Sequence, residues 1–227
     1  MTGLTDFQAE VARLFFSLPA ADGFLLAGGG ALLASGLTTR PTEDLDFFGE
    51  RGRSDVAAVR RHLEAAAFAR GWMVTPIQVS DSFARLHVQG EADVLVDIAI
   101  DVAAGHPPVV SIVGPTFAPE ELAGRKLVAL FDRAEARDFA DVFVLAKRFG
   151  RQALLDQAAQ LDGGFDTDVL AVMMRTLDRF TDEEIPANDA SALELRAFFA
   201  AWADEMEQRG VSHEGAGAPD RSVEDRS

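Results

Sequence analysis

Two carboxylates two residues apart, Asp44 and Asp46, follow by one short helix and loop a strand that ends in three glycines, Gly28-Gly29-Gly30. In Asp44-Leu45-Asp46-Phe47-Phe48 an extended chain projects both carboxylates from one face and sends Leu45 and Phe47 to the other. Phe48 continues the carboxylate face, where it would border a bound ligand. Such a pair suits a hard cation like Mg2+, which takes oxygen ligands and leaves positions for substrate phosphates. The glycines allow backbone N–H groups to approach a polyphosphate closely, and the apolar helical run from Ala31 would point its positive end there. Each half alone is common, as a plain tight turn or a solvated acidic edge. In this order and spacing they predict a phosphate-cradling turn aimed at a metal-binding pair.

A third carboxylate comes from Asp93-Val94-Leu95-Val96-Asp97-Ile98-Ala99-Ile100-Asp101. One face of this strand is apolar; the other carries Asp93, Asp97 and Asp101. Asp97, in the middle, could reach toward Asp44 and Asp46 and complete a set able to hold two divalent ions that orient and deprotonate an attacking hydroxyl. The same alternation describes the solvent side of an antiparallel hairpin, and local pattern leaves both readings open.

The elements that must position these residues follow from periodicity and capping. Thr5-Asp6-Phe7-Gln8 has capping-box spacing ahead of a helix to about Leu18, and Ser54 is expected to cap a helix ending at Gly71. Strands are expected over Phe24–Ala27, Trp72–Val79, Phe83–Val88 and Asp93–Asp101, the last two joined through Gln89-Gly90-Glu91. After Pro115 nearly every periodic segment is helical: Glu120–Phe131 behind Pro119, then Ala136–Phe149, Gln152–Ala159, Asp166–Phe180 and Asn188–Arg209. The chain therefore divides into an α/β core over 1–115 and a helical module over 116–209. The stretch 210–227, rich in Gly, Ser and charge, is expected to be a disordered tail.

At 227 residues and 48% hydrophobic content the chain can bury one sizeable core and a smaller module. It has no cysteine, hence no disulfide or thiolate zinc site, and no signal-like or membrane-spanning run, so the cytoplasm is the expected compartment. A formal charge of −16 argues against a broad nucleic-acid-binding surface. Arg51, Arg53, Arg60, Arg61 and Arg70 form the one concentrated basic stretch, read either as an RNA-facing rim or as a solvated helix face. The four histidines are scattered without ligand spacing, and Trp72 and Trp202 read as core or interface.

Taken together, Gly28-Gly29 followed by Arg40-Pro41-Thr42-Glu43-Asp44-Leu45-Asp46 resembles the AbiEii/AbiGii-type nucleotidyltransferase toxins, including the MenT-type toxins, of the DNA polymerase β-like nucleotidyltransferase superfamily. The resemblance covers roughly residues 24–146. It extends to Asp97, to Lys126 in Glu121-Leu122-Ala123-Gly124-Arg125-Lys126-Leu127, and to Arg137-Asp138-Phe139-Ala140-Asp141. Gly30 departs from the pattern, which often has Ser or Thr there, so the backbone contact to phosphate would lack a hydroxyl companion.

The resemblance implies a polymerase β-like α/β core with a mixed sheet flanked by helices, followed by an all-helical C-terminal module. It also implies Mg2+-dependent (or Mn2+-dependent) transfer of NMP from an NTP such as ATP or CTP, with loss of pyrophosphate. By this likeness Asp44, Asp46 and Asp97 are the metal ligands, with Asp97 also a base toward the acceptor hydroxyl. Gly28, Gly29, Gly30, Arg40, Thr42 and Lys126 bind the nucleotide, and Asp138 lies close by, orienting Lys126 or contacting base or ribose. The implied acceptor is RNA, foremost the tRNA 3′ end. The implied partner is a cognate antitoxin, which in related systems phosphorylates a Ser or Thr at the place of Thr42 and so sets negative charge beside the carboxylates. Transfer to a small hydroxylated molecule such as an aminoglycoside, and a non-catalytic nucleotide-binding module, are the alternatives.

Overall fold

The computed structural model describes residues 3–186 and 190–214, the last six of these as backbone only. Its centre is a seven-stranded mixed sheet in the order β3-β4-β5-β2-β1-β7-β6. The strands are β1 (Phe24–Ala27), β2 (Asp44–Glu50), β3 (Met73–Val79), β4 (Phe83–Gln89), β5 (Asp93–Asp101), β6 (Val109–Val110) and β7 (Pro115–Thr116). β3, β4 and β5 form an antiparallel meander; β5 then lies parallel to β2, and β2 antiparallel to β1. The two short strands β6 and β7 complete the sheet close to residue 115, where β7 pairs parallel with β1 and antiparallel with β6.

Alternation decides what each face of this sheet does. Leu45, Phe47, Leu86, Val88, Val94, Val96 and Ile98 are all buried. They are covered by α1 (Asp6–Ser17) and α3 (Val56–Phe68). Phe15 of α1 stacks on Phe47 at 3.8 Å, and α3 buries Val56, Val59, Leu63 and Ala67. At about 1.5–3 kcal/mol for each large apolar side chain, this layer fixes which face of β2 and β5 turns inward. α1 carries the expected capping box between Thr5 and Gln8. α3, however, is capped by Asp55, whose carboxylate accepts from the Ala58 N–H; Ser54, one residue too early, bonds instead to the Glu50 N–H and the Gly23 carbonyl.

α2 (Gly28–Ala34) packs on β1 and β2, with Gly30 against Leu45 and Leu26, and on its other side meets α4 of the helical module, which comprises α4 (Pro119–Arg133), α5 (Ala136–Phe149), α6 (Arg151–Leu161), α7 (Thr167–Arg175) and α8 (Ala192–Glu214). Pro119 opens α4 as expected, and Ala134, at φ 46°, ends it in the left-handed region. The helix expected over Asp166–Phe180 is α7 followed by a 3-10 turn, with Asp166 as cap. α8 is capped through Ser191, which exchanges bonds with Glu194, so it begins later than the expected Asn188, which lies outside the described residues. It also continues past Gly210 to Glu214, overturning the expected break there; 215–227 lie outside the described residues. Both tryptophans are buried.

Candidate active site

β2 and β5 place the carboxylates by register. Asp46 is directly opposite Asp97, and Asp44 opposite Leu95, so Asp44, Asp46 and Asp97 share the face that α1 and α3 leave uncovered. The solvated-hairpin reading of Asp97 therefore gives way: the residue is buried, and its neighbour across the sheet is Asp46. Gly28 and Gly29 abut these groups. Gly28 has φ 58°, and a Cβ there would lie 1.8 Å from Asp46 Oδ2; a Cβ on Gly29 would lie 2.8 Å from Thr42 Oγ1. Only glycine allows the turn to close on the carboxylates this tightly. A Cβ on Gly30 would instead meet Leu45, at 3.1 Å, so its side-chain direction belongs to the core.

The loop before β2 is pinned from two sides. Gln8 of α1 donates to the Thr42 carbonyl at 2.7 Å, and the Thr42 hydroxyl donates to Asp44 Oδ1 at 2.6 Å. Arg40 is buried and reaches the module, donating from Nε and Nη2 to the two oxygens of Asp141 at 2.9 and 2.7 Å. Lys126, also buried, lies 3.1 Å from Asp141 and 3.4 Å from Asp138. Asp138 in turn accepts from the Arg133 guanidinium and from the Glu135 N–H. Asp138 and Asp141 thus form a buried acidic floor on α5 that holds the cations Lys126 and Arg40. Arg137 extends from the same helix to within 3.5 Å of Asp44.

The electrostatics reflect this crowding. Burial, then the charges of Asp44 and Asp97, push the Asp46 carboxyl up to about 7 against the pull of Lys126 and Arg137. Burial acts in the same direction on Asp138, yet the Arg133 hydrogen bond and the charges of Lys126 and Arg133 hold it below the usual carboxylate range. Burial opposes the charge on Arg40, and its hydrogen bond to Asp141 together with the charges of Asp141, Asp44 and Asp138 outweighs that and raises its pKa.

A divalent cation fits this donor set in part. Asp44 and Asp46 are hard oxygen donors on one face, and the strain among like charges at Asp46 is what a cation would relieve. Asp97 is already engaged: Arg85 of β4 donates to both its oxygens, at 2.8 and 2.5 Å. Accordingly, among the described residues no three acidic or histidine side chains converge as a ready-made cage.

Arg85 and Asp141 are the site residues to which sequence pattern gave no role of their own. Asp141 stands in the motif Arg137-Asp138-Phe139-Ala140-Asp141, and its i, i+3 relation to Asp138 puts both on one helix face. Arg85 was signalled by the short hairpin turn, which pairs Gln89 with Asp93 and so carries Arg85 opposite Asp97. The basic stretch is the other revision. Arg60, Arg61 and Arg70 belong to α3 or its end, on the sheet face opposite the carboxylates, and Arg60 pairs with Glu64. The apolar stripe of α3 is what seats it there.

A mixed sheet with carboxylates on one face, opposed by cations from a helical module, is the arrangement of a nucleotidyltransferase. A family model described as "Nucleotidyl transferase AbiEii toxin, Type IV TA system" matches residues 12–224. The chain belongs to this family and is a nucleotidyltransferase toxin of a toxin–antitoxin system. Solved structures of similar fold include JHP933 from Helicobacter pylori, at 20% identity and TM-score 0.51, covering 95% of this chain and 100% of that one. A putative nucleotidyltransferase from H. pylori gives 20% identity and TM-score 0.54, covering 91% and 94%. MenT4, a nucleotidyltransferase toxin from Mycobacterium tuberculosis, gives 14% identity and TM-score 0.45, covering 91% and 89%. No curated protein matches the chain significantly. No helix among the described residues is long and apolar enough to cross a membrane.

Proposed function

We propose that this toxin transfers NMP from an NTP to an RNA hydroxyl, foremost the tRNA 3′ acceptor end, with Mg2+ as cofactor, and so blocks translation. The observation that carries this reading is the opposition of Asp44, Asp46 and Asp97 on the sheet to buried Lys126 and Arg40 across the cleft. Phosphoryl chemistry needs positioning and charge neutralisation more than covalent help from the protein.

Asp44 and Asp46 would hold the metal, with Asp97 as third ligand, and the bound ion would supply charge neutralisation on the phosphates. Lys126 and Arg40 neutralise the triphosphate, held in place by Asp138 and Asp141. The backbones of Gly28, Gly29 and Gly30 line the phosphate turn. The acceptor oxygen bonds to the α-phosphorus as the α–β bridging bond breaks; pyrophosphate leaves, and the hydroxyl proton passes to Asp97. Thr42, bonded to Asp44, is the hydroxyl at which phosphorylation by a cognate antitoxin would set a second negative charge beside the metal pair.

A second reading, transfer to a small hydroxylated acceptor such as an aminoglycoside, is favoured by the charge of −16 and by α3 carrying its arginines away from the carboxylate face. The test is to incubate purified protein with each labelled NTP, Mg2+ and either total tRNA or small acceptors, beside Asp44→Ala and Lys126→Ala. Label on tRNA that both variants abolish supports the first reading. Label confined to small acceptors replaces it with the second, and no label in any mixture refutes both.

A further inference from the structure

One row of residues crosses the sheet at right angles to its strands: Gln78, Arg85, Asp97, Asp46 and Ala27, each directly opposite the next. Arg85 therefore belongs to the carboxylate face as fully as Asp97 does. Its guanidinium takes both oxygens of Asp97 in a planar two-pronged bond. The charges of Asp44 and Asp46 also act on it. In this position it does for Asp97 what a divalent cation would do.

Exposure separates the cations around the cleft. The Lys126 and Arg40 side chains are 7% and 11% exposed and locked to the α5 floor, whereas that of Arg85 is 42% exposed. Among the described residues no second acidic side chain is bonded to Arg85, so once parted from Asp97 its guanidinium is left facing solvent at the sheet side of the cleft. A guanidinium there has the geometry to take a phosphate in the same two-pronged way.

We infer that Arg85 is a displaceable counter-ion, keeping Asp97 out of the metal set until a phosphate-bearing acceptor draws the guanidinium away. Loading of the third ligand then waits on the acceptor, and the donor nucleotide is protected from attack by water while no acceptor is bound. Arg85 is a positioning residue in this scheme: it acts through Asp97. The inference rests on the proposed metal-dependent reading of the site and specifies how its acceptor side is controlled.

The test is Mn2+ binding to the full-length protein, followed by the electron paramagnetic resonance of free Mn2+ without nucleotide, for wild type, Arg85→Ala, Arg85→Lys, Asp44→Asn and the Arg85→Ala/Asp97→Asn double variant. Removing a charged two-pronged competitor should tighten Mn2+ binding by roughly tenfold, and the double variant should lose that gain. Arg85→Lys, which keeps charge but not the fork, should fall between. A second arm measures binding of a fluorescent CCA-ended RNA hairpin with and without Mn2+. Because metal on Asp97 and acceptor phosphate on Arg85 each favour parting of the same pair, wild type should gain more RNA affinity from Mn2+ than Arg85→Ala. Unchanged Mn2+ affinity in Arg85→Ala, with binding still lost in Asp44→Asn, overturns the inference alone. Mn2+ binding indifferent to Asp44→Asn overturns the metal reading beneath it. Equal Mn2+-dependent gains in RNA affinity refute the acceptor's role.

Discussion

Asp141 touches both buried cations of the cleft, so Asp141→Asn separates the charge of that carboxylate from its shape. In the wild type it accepts two bonds from Arg40 and lies 3.1 Å from Lys126, with all three groups buried. Breaking a buried ion pair from one side costs about 3–5 kcal/mol, because the partner charge stays behind. The Asn carbonyl retains one acceptor, Arg40 keeps its bond to the Pro41 carbonyl, and Lys126 keeps Asp138, which together reduce the loss to about 2–4 kcal/mol. For a chain of this length that corresponds to a fall in Tm of about 5–15 °C. The charge left behind also changes what the cleft prefers to bind. A triphosphate supplies the missing anion, so NTP with Mg2+ should raise the Tm of Asp141→Asn by more than it raises that of the wild type. Thermal unfolding of both proteins across a series of NTP concentrations reads both effects. A loss below about 1 kcal/mol, or equal stabilisation by NTP, would refute the idea that Asp141 holds these cations in trust for phosphate.

Other expectations follow from individual contacts. Gly28→Ala places a methyl group onto the Asp46 carboxylate in a left-handed backbone, so Mn2+ binding and nucleotidyl transfer should fall at least about a hundredfold while circular dichroism shows a folded protein. Asp46, with its folded-state pKa raised to about 7, binds a proton that the unfolded chain holds only below about 4. Stability in EDTA should therefore rise as pH falls from about 7 toward 4, by up to ~1.4 kcal/mol per pH unit, and this slope should vanish in Asp46→Asn; urea unfolding at several pH values measures it. Mn2+ affinity should run the opposite way, strengthening as pH rises through 7. Thr42→Glu, which imitates added negative charge beside Asp44, should weaken NTP binding more than tenfold by calorimetry, with Thr42→Val much closer to wild type.

The parts of the site that were legible in the sequence are those set by local spacing. Asp44 and Asp46 share a face because a strand alternates, and Leu45 and Phe47 beside them are buried as alternation requires. Pro119 and the Thr5 capping box announce their helices for equally local reasons. What local pattern does not contain is which face of the sheet a helix will cover, and Arg60 and Arg61 of the basic stretch illustrate it. Their place in the cluster is plain in the chain, but the side of the sheet they lie on is decided by where Val59 and Leu63 of α3 are buried. The burial of Asp138 and Asp141 is likewise invisible from charge spacing alone, since exposed and buried acidic helices share it. The floor is stabilised by Lys126 and Arg133 of α4 and by Arg40, which reaches Asp141 from a loop about a hundred residues away. The cap of α3 shows the finer limit: Ser54 and Asp55 both qualify by type, and a hydrogen bond to Gly23 elsewhere in the fold settles which is free to cap.

Glu121, wholly buried in α4, binds Arg125, and Arg125 reaches across to Asp101 and the Val102 carbonyl at the end of β5. The same guanidinium lies 3.8 Å over the Phe117 ring. Lys126 is the next residue along that helix, and Asp97 is four residues, two pleats, earlier on that strand than Asp101. The span between the carboxylate strand β5 and the Lys126 helix α4 is thus set by a brace at the end of both. Whatever loosens the segment after Val102 would lengthen that span and spoil the alignment of both halves, without entering the cleft or touching a group that meets substrate.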